Sequence, residues 1–199
     1  MDILSVFFST TVKLLALMTP PAVLSAYVSA SRTYDVDRKK RTARRTGLAV
    51  FIIGLTLFFL GDSVFSFFGF TLDAFRIGAG ALLFLSAVSI MNESKHHTTF
   101  DSADDISVVP LAIPLCMGPA SIGAVMIMGA SAESLGQKMT GALSLMTASA
   151  CIYVMLLCAE KVKKFLGETG LSVLSKLTGL LIAAIAAQVV FTGIHAFLG

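Results

Sequence analysis

Two stretches of the chain, Ile106–Ala132 and Met139–Ala159, carry no charged side chain. Each is long enough to cross a hydrocarbon core, which takes roughly 20 apolar residues as an α-helix. Composition points the same way. Hydrophobic residues make up 56% of the 199 residues and charged residues 14%, against about 25% charged in an ordinary soluble domain. The expected fold is all-α: a polytopic membrane protein of six transmembrane helices. The spans are Ile3–Ala30, Thr46–Phe68, Leu72–Met91, Ile106–Ala132, Met139–Ala159 and Leu171–Phe197. A tight turn centred on Gly69 joins the second to the third. Met1–Met18 lacks a basic start and its apolar pattern continues, so it reads as part of a span and not as a cleaved signal peptide. Cys116, Cys151 and Cys158 all lie in apolar runs, where thiols behave as small hydrophobes. No zinc-type spacing occurs, and neither a metal nor a cofactor is expected.

With six spans, the first, third and fifth loops share one side. They hold Arg32, Arg38, Lys39, Lys40, Arg41, Arg44 and Arg45, then Lys95, then Lys161, Lys163 and Lys164; the other side offers Lys138. Lys and Arg concentrate on the cytoplasmic face, so both termini are expected outside a bacterial inner membrane. The basic loop thus reads as a topology signal, with no nucleic-acid partner; membrane lipids surround the spans.

The chain also repeats itself. LLALMTPPAVLSAYV from Leu14 aligns with AIPLCMGPASIGAVMIM from Ala112, setting Pro20 against Pro119 at an offset of 99. FFGFT from Phe67 meets FLGET from Phe165 at an offset of 98, and Arg76-Ile77 meets Lys176-Leu177 at 100. The division is residues 1–92 as one repeat, 93–105 as a cytoplasmic connector and 106–199 as the second repeat. An odd number of spans per half makes the halves insert upside down relative to each other, the inverted-repeat plan of secondary transporters.

All five prolines, Pro20, Pro21, Pro110, Pro114 and Pro119, fall in the first and fourth spans. Interior proline breaks a helix, yet proline suits the first position of a new one behind a capping residue. Thr19-Pro20 and Gly118-Pro119 fit that arrangement. Each of these spans is therefore expected to be two half-helices, with the second half starting at Pro20 and at Pro119. Free N–H groups at such starts suit a carboxylate, and the carbonyls left over suit an ammonium group or a cation. The substrate-binding residues expected are Thr19, Pro20, Pro21, Ala22, Gly118, Pro119, Ala120 and Ser121. Small side chains at Ala22, Gly118, Ala120 and Gly123 favour a small substrate. Gln188 either lines the cavity or makes a helix–helix hydrogen bond, and joins the candidate set.

At these residues the sequence resembles the MarC family, also called the small neutral amino acid transporter family. Val109-Pro110-Leu111-Ala112-Ile113-Pro114 with Met117-Gly118-Pro119-Ala120 matches the family's V-P-L-A-[IM]-P…A-G-P-G motif. Phe68 to Gly80 follows its F-G-I-x-[IL]-x-x-[FL]-R-I-A-G-G run, and Leu177-Thr178-Gly179-Leu180-Leu181 through Gln188 its R-[LI]-M-G-L-L…Q stretch. The first-span motif departs, with MTPPA in place of N-P-[IVL]-G. The resemblance implies no enzyme but a secondary transporter, an exporter of small neutral amino acids such as alanine and glycine. The coupling ion is open, and a homo-oligomer is compatible with it. A passive channel is the alternative, because broken helices also line pores.

Among charged groups within the spans, Arg76 and Lys176 lie in first turns and snorkel, and Asp73 is spaced to pair with Arg76. Asp62 is a second candidate partner for Arg76. Lys13 either balances a carboxylate or marks a later start of the first half-helix. His96 and His97, near Asp101, Asp104 and Asp105, read as part of a solvated connector, and His195 as interfacial. An intramembrane aspartyl protease would need a G-x-G-D motif, whose first glycine is replaced by Phe59 ahead of Gly61-Asp62. A serine protease would need a deep histidine, and none is placed so.

Overall fold

A computed structural model describes residues 3–31, 33–69, 71–92, 112 and 116–198. These residues form α1 (Ile3–Leu17), α2 (Pro20–Ala30), α3 (Val36–Phe68), α4 (Leu72–Asn92), α5 (Pro119–Ala130), α6 (Leu135–Leu157) and α7 (Ala159–Leu198). No strand occurs among the described residues. Among the described residues four segments are long and apolar enough to cross a membrane: Val36–Gly61, Leu72–Asn92, Leu135–Leu157 and Thr169–Leu198. The pair α1 and α2, bent by 46°, makes a fifth if the two helices are one span. The expected fourth span is represented by α5 with Ala112 and Cys116–Gly118; its remaining residues lie outside those described, as do the connector and its histidines.

Two expected loops are helical instead. α3 starts at Val36, so Arg38 to Arg45 extend the second span as a helix and are not a loop. Lys and Arg are good helix formers. Asp35 stands in an extended conformation at the N-cap, where its carbonyl accepts the Lys39 N–H at 3.0 Å. Lys161, Lys163 and Lys164 likewise belong to α7.

Gly69 (φ 71°) and Gly167 (φ 66°) are the glycines with positive φ among the described residues. Lacking a Cβ, they turn the chain left-handed without a clash. They are also the two glycines that the FFGFT/FLGET alignment sets against each other.

α4 and α7 form the most extensive helix contact, running antiparallel. A Cβ on Gly80 would meet the Ala186 carbonyl at 3.2 Å and the Val190 amide at 3.1 Å. One on Gly179 would meet the Ala87 carbonyl at 3.3 Å and the Met91 side chain at 2.8 Å. The contact is reciprocal: each partner in the first set lies 99 positions from its counterpart in the second. Leu83 and Ala87 pack on Ile182 and Ala186 at the same offset. The packing register of this pair is thus 99 and not the 100 read from Arg76 and Lys176, which makes Ser89 the counterpart of Gln188.

Small residues let backbones approach where lipid offers no hydrophobic drive to association. Gly129 of α5 abuts the Phe58 carbonyl of α3, and Gly61 of α3 leaves room for the Met126 carbonyl. α6 packs on α3 through Gly54 against Leu145 and Gly141 against the Phe58 ring. The main core draws on α1, α2, α3, α5, α6 and α7, and includes Leu14, Leu24, Tyr27, Val50, Phe58, Leu145, Ile152 and Leu171. Met18, Cys116 and Met117, from the two proline-rich segments, belong to it.

Candidate functional site

The break in the first span is a consequence of two adjacent prolines. In a continuous helix the N–H groups of residues 20 and 21 would donate to the carbonyls of residues 16 and 17. Pro20 and Pro21 have no N–H, so both carbonyls lose their helical donor. The Ala16 carbonyl accepts the Thr19 N–H at 3.1 Å. The Leu17 carbonyl accepts the Ser121 hydroxyl at 2.8 Å, from α5, in a buried setting. This bond ties the end of the first half-helix of span one to the first turn of α5.

Between α1 and α2 the backbone is strained. Thr19 has φ 44° and ψ 59°, the left-handed region, at a β-branched residue. A residue before proline normally adopts an extended conformation, and such outliers cost about 1–3 kcal/mol. Thr19 occupies the N-cap position of α2, but its side chain makes no capping bond to that helix. That corrects the capping expected from sequence: an N-cap hydroxyl reaches the helix from an extended backbone, which Thr19 does not have. Its carbonyl accepts from Ala22 at 3.0 Å and Val23 at 3.2 Å.

The expected free N–H groups at the start of α2 are therefore missing. The first two positions are prolines, and the third, Ala22, donates to Thr19. The other break differs. Gly118 is an extended N-cap (φ −76°, ψ 171°) followed by Pro119 alone, so Ala120 and Ser121 keep their N–H groups. The Gly118 carbonyl accepts from Ile122 at 2.9 Å. Just before it, the Met117 N–H donates to the Ala112 carbonyl at 2.8 Å, a wide π-type turn. Ala112, Cys116 and Met117 are fully buried.

The structure ties Ser121 to Leu17, the last residue of α1, with Pro21 and Ser121 buried and Thr19, Pro20, Ala22 and Gly118 half-buried. Gln188 is not part of this assembly. It is exposed on α7, while Ile182 and Ala186, on the opposite face, pack on Leu17. Gly123 does not open toward the breaks either: a Cβ there would meet the Ala79 Cβ at 2.8 Å. Lys13, one turn before the first break, is exposed on α1. Leu17 was missed in the sequence reading, although a proline four positions later is a local signal of an orphaned carbonyl.

Away from the breaks, Arg76 pairs with Asp73 at 2.7 Å, as the spacing predicts, and donates to Ser131 at 2.8 Å. Lys39 pairs with Glu160 across α3 and α7, and the Tyr27 hydroxyl donates to the Lys39 carbonyl at 2.9 Å.

Residues 4–198 match the model of the MarC family of integral membrane proteins. The chain belongs to the MarC family. Among its relatives, UPF0056 membrane protein MJ1677 of Methanocaldococcus jannaschii is 31% identical over 90% of this chain and 91% of its own. YhcE of Escherichia coli, also a UPF0056 membrane protein, is 28% identical over 95% of this chain and 92% of its own. A UPF0056 membrane protein of Aquifex aeolicus is 30% identical over 94% and 92%. No solved structure matches. As a MarC-family member the chain is an integral, multi-pass membrane protein. Its exposed large apolar side chains, Phe59, Phe84 and Phe191 among them, are then lipid-facing surface.

Proposed function

We propose that this MarC-family protein is a secondary transporter that exports small neutral amino acids by alternating access. The observation that carries the reading is the buried bond from Ser121 to the Leu17 carbonyl. It joins the end of α1, at the break before α2, to the first turn of α5 behind Gly118-Pro119. Irregular backbone is tolerated at membrane depth only against protein or a cavity, and in secondary transporters such interruptions form the substrate site. The reciprocal register of α4 and α7 and the matched glycines Gly69 and Gly167 support an arrangement of six spans as two inverted repeats.

With Lys and Arg concentrated in the first, third and fifth connections, both termini would lie outside the cytoplasmic membrane. The residues at the breaks support this substrate class. Backbone carbonyls and the N–H groups of Ala120 and Ser121 complement a zwitterion, and no charged side chain stands in either break. Small residues in the sequence at Ala22, Gly118 and Ala120 favour a small substrate. The buried Ser121–Leu17 bond favours a carrier over an open channel. Reconstituted vesicles loaded with unlabelled L-alanine should accumulate labelled L-alanine by counterflow, saturably. Linear, non-saturating flux would indicate a channel, and no flux with any small neutral amino acid would remove the reading.

A further inference from the structure

We propose that the Leu17 carbonyl is the subsite for the ammonium group of the transported amino acid, and that Ser121 occupies it in the closed conformation. This rests on the transport reading above.

Pro21 leaves the Leu17 carbonyl without a helical donor, and the bilayer offers no water to replace one. In this structure the Ser121 hydroxyl supplies that donor from the other half of the chain, at 2.8 Å and with Ser121 only 6% exposed. A hydroxyl is a neutral donor. A primary ammonium makes charge-assisted bonds roughly twice as strong, and it has three N–H groups to share among neighbouring carbonyls. An arriving ammonium therefore displaces the hydroxyl without leaving the carbonyl unsatisfied. The exchange also breaks the bond between the end of α1 and the start of α5. Substrate binding and separation of the two breaks are then one event, which is the differential interaction that a ligand-driven conformational change requires.

Closing over its own hydroxyl lowers the apparent affinity of the site, because only the fraction of molecules with the bond open can bind. Removing the hydroxyl removes that competition. Binding of labelled L-alanine to the purified full-length protein in detergent tests this. Ser121→Ala is expected to bind roughly tenfold more tightly than the wild type, and Ser121→Thr, which keeps a hydroxyl, to bind like the wild type. If Ser121→Ala elutes aggregated, Ser121→Cys, with a much weaker donor, must show tightening in the same direction. L-Alaninamide, which retains the ammonium, should displace label; N-acetyl-L-alanine, which lacks it, should not.

Unchanged or weaker binding by the folded Ser121→Ala variant, while the wild type binds, overturns the exchange and leaves the transport reading standing. Displacement by N-acetyl-L-alanine as effective as by L-alanine overturns the ammonium assignment. If neither wild type nor variant binds any small neutral amino acid, the transport reading fails and the subsite falls with it.

Discussion

At the scale of single residues, the two breaks differ because one begins with two prolines and the other with one. Pro21 strips α2 of the N–H that Ala120 provides to α5, so donor capacity gathers at the second break and an orphaned carbonyl at the first. Thr19 bears the backbone cost of the turn between α1 and α2. Replacing it by glycine removes the Cβ penalty, partly offset by the freedom glycine gains in the unfolded chain. Thr19→Gly is expected to raise the melting midpoint in detergent, by a stabilisation of up to about 1 kcal/mol; a lower midpoint would mean that the side chain contributes more than the strain costs. Gly118 has an extended φ that any residue adopts, so Gly118→Val should fold and elute normally. On the transport reading its added bulk would stand in the substrate's path, and counterflow of alanine should be abolished; normal counterflow would place the site elsewhere. Gln188 faces away from the breaks, so Gln188→Leu should retain alanine counterflow within about twofold of wild type. Loss of flux in a folded Gln188→Leu would bring that side chain back into the transport path.

At the scale of helices, glycine decides how closely neighbours approach, and its positions are not equivalent. Gly129 has the Phe58 carbonyl where its Cβ would be, whereas Gly78 has nothing within 4 Å. Gly129→Ala must push α5 off α3 and should destabilise by about 1–3 kcal/mol, the usual cost of overpacking. Gly78→Ala adds helix propensity in open space and should stabilise by about 0.5–1 kcal/mol. Thermal melting of the two variants, followed by fluorescence-detected size exclusion, is expected to shift in opposite directions. Nothing in the sequence separates these glycines, because each stands in an apolar helix among similar neighbours. The basic residues tell a related story. Arg38 to Arg45 look like a loop by hydropathy, but their helix propensity and the Asp35 start carry α3 through them.

At the scale of the whole molecule, the orientation that the Lys and Arg distribution suggests can be tested directly. A reporter active only outside the cytoplasm should work when fused after Gly199 and fail when inserted between Thr33 and Tyr34; the opposite pattern would reverse the orientation. The reciprocal α4–α7 contact offers a physical reason for keeping two similar halves. One interface geometry serves both, so a single antiparallel packing solution is used twice. Much of this was legible in the chain before its structure. Charge-free runs demand a membrane, proline stops a helix from running on through it, and the recurrence of Pro20 at Pro119 marks the starts of α2 and α5, since each of these depends on backbone chemistry local to a few residues. The tertiary structure alone decided that the Leu17 carbonyl meets Ser121, that Gln188 faces outward and that Gly123 is filled by Ala79. Each of those outcomes depends on which face of one helix packs against another distant in sequence, and an apolar face does not name its partner.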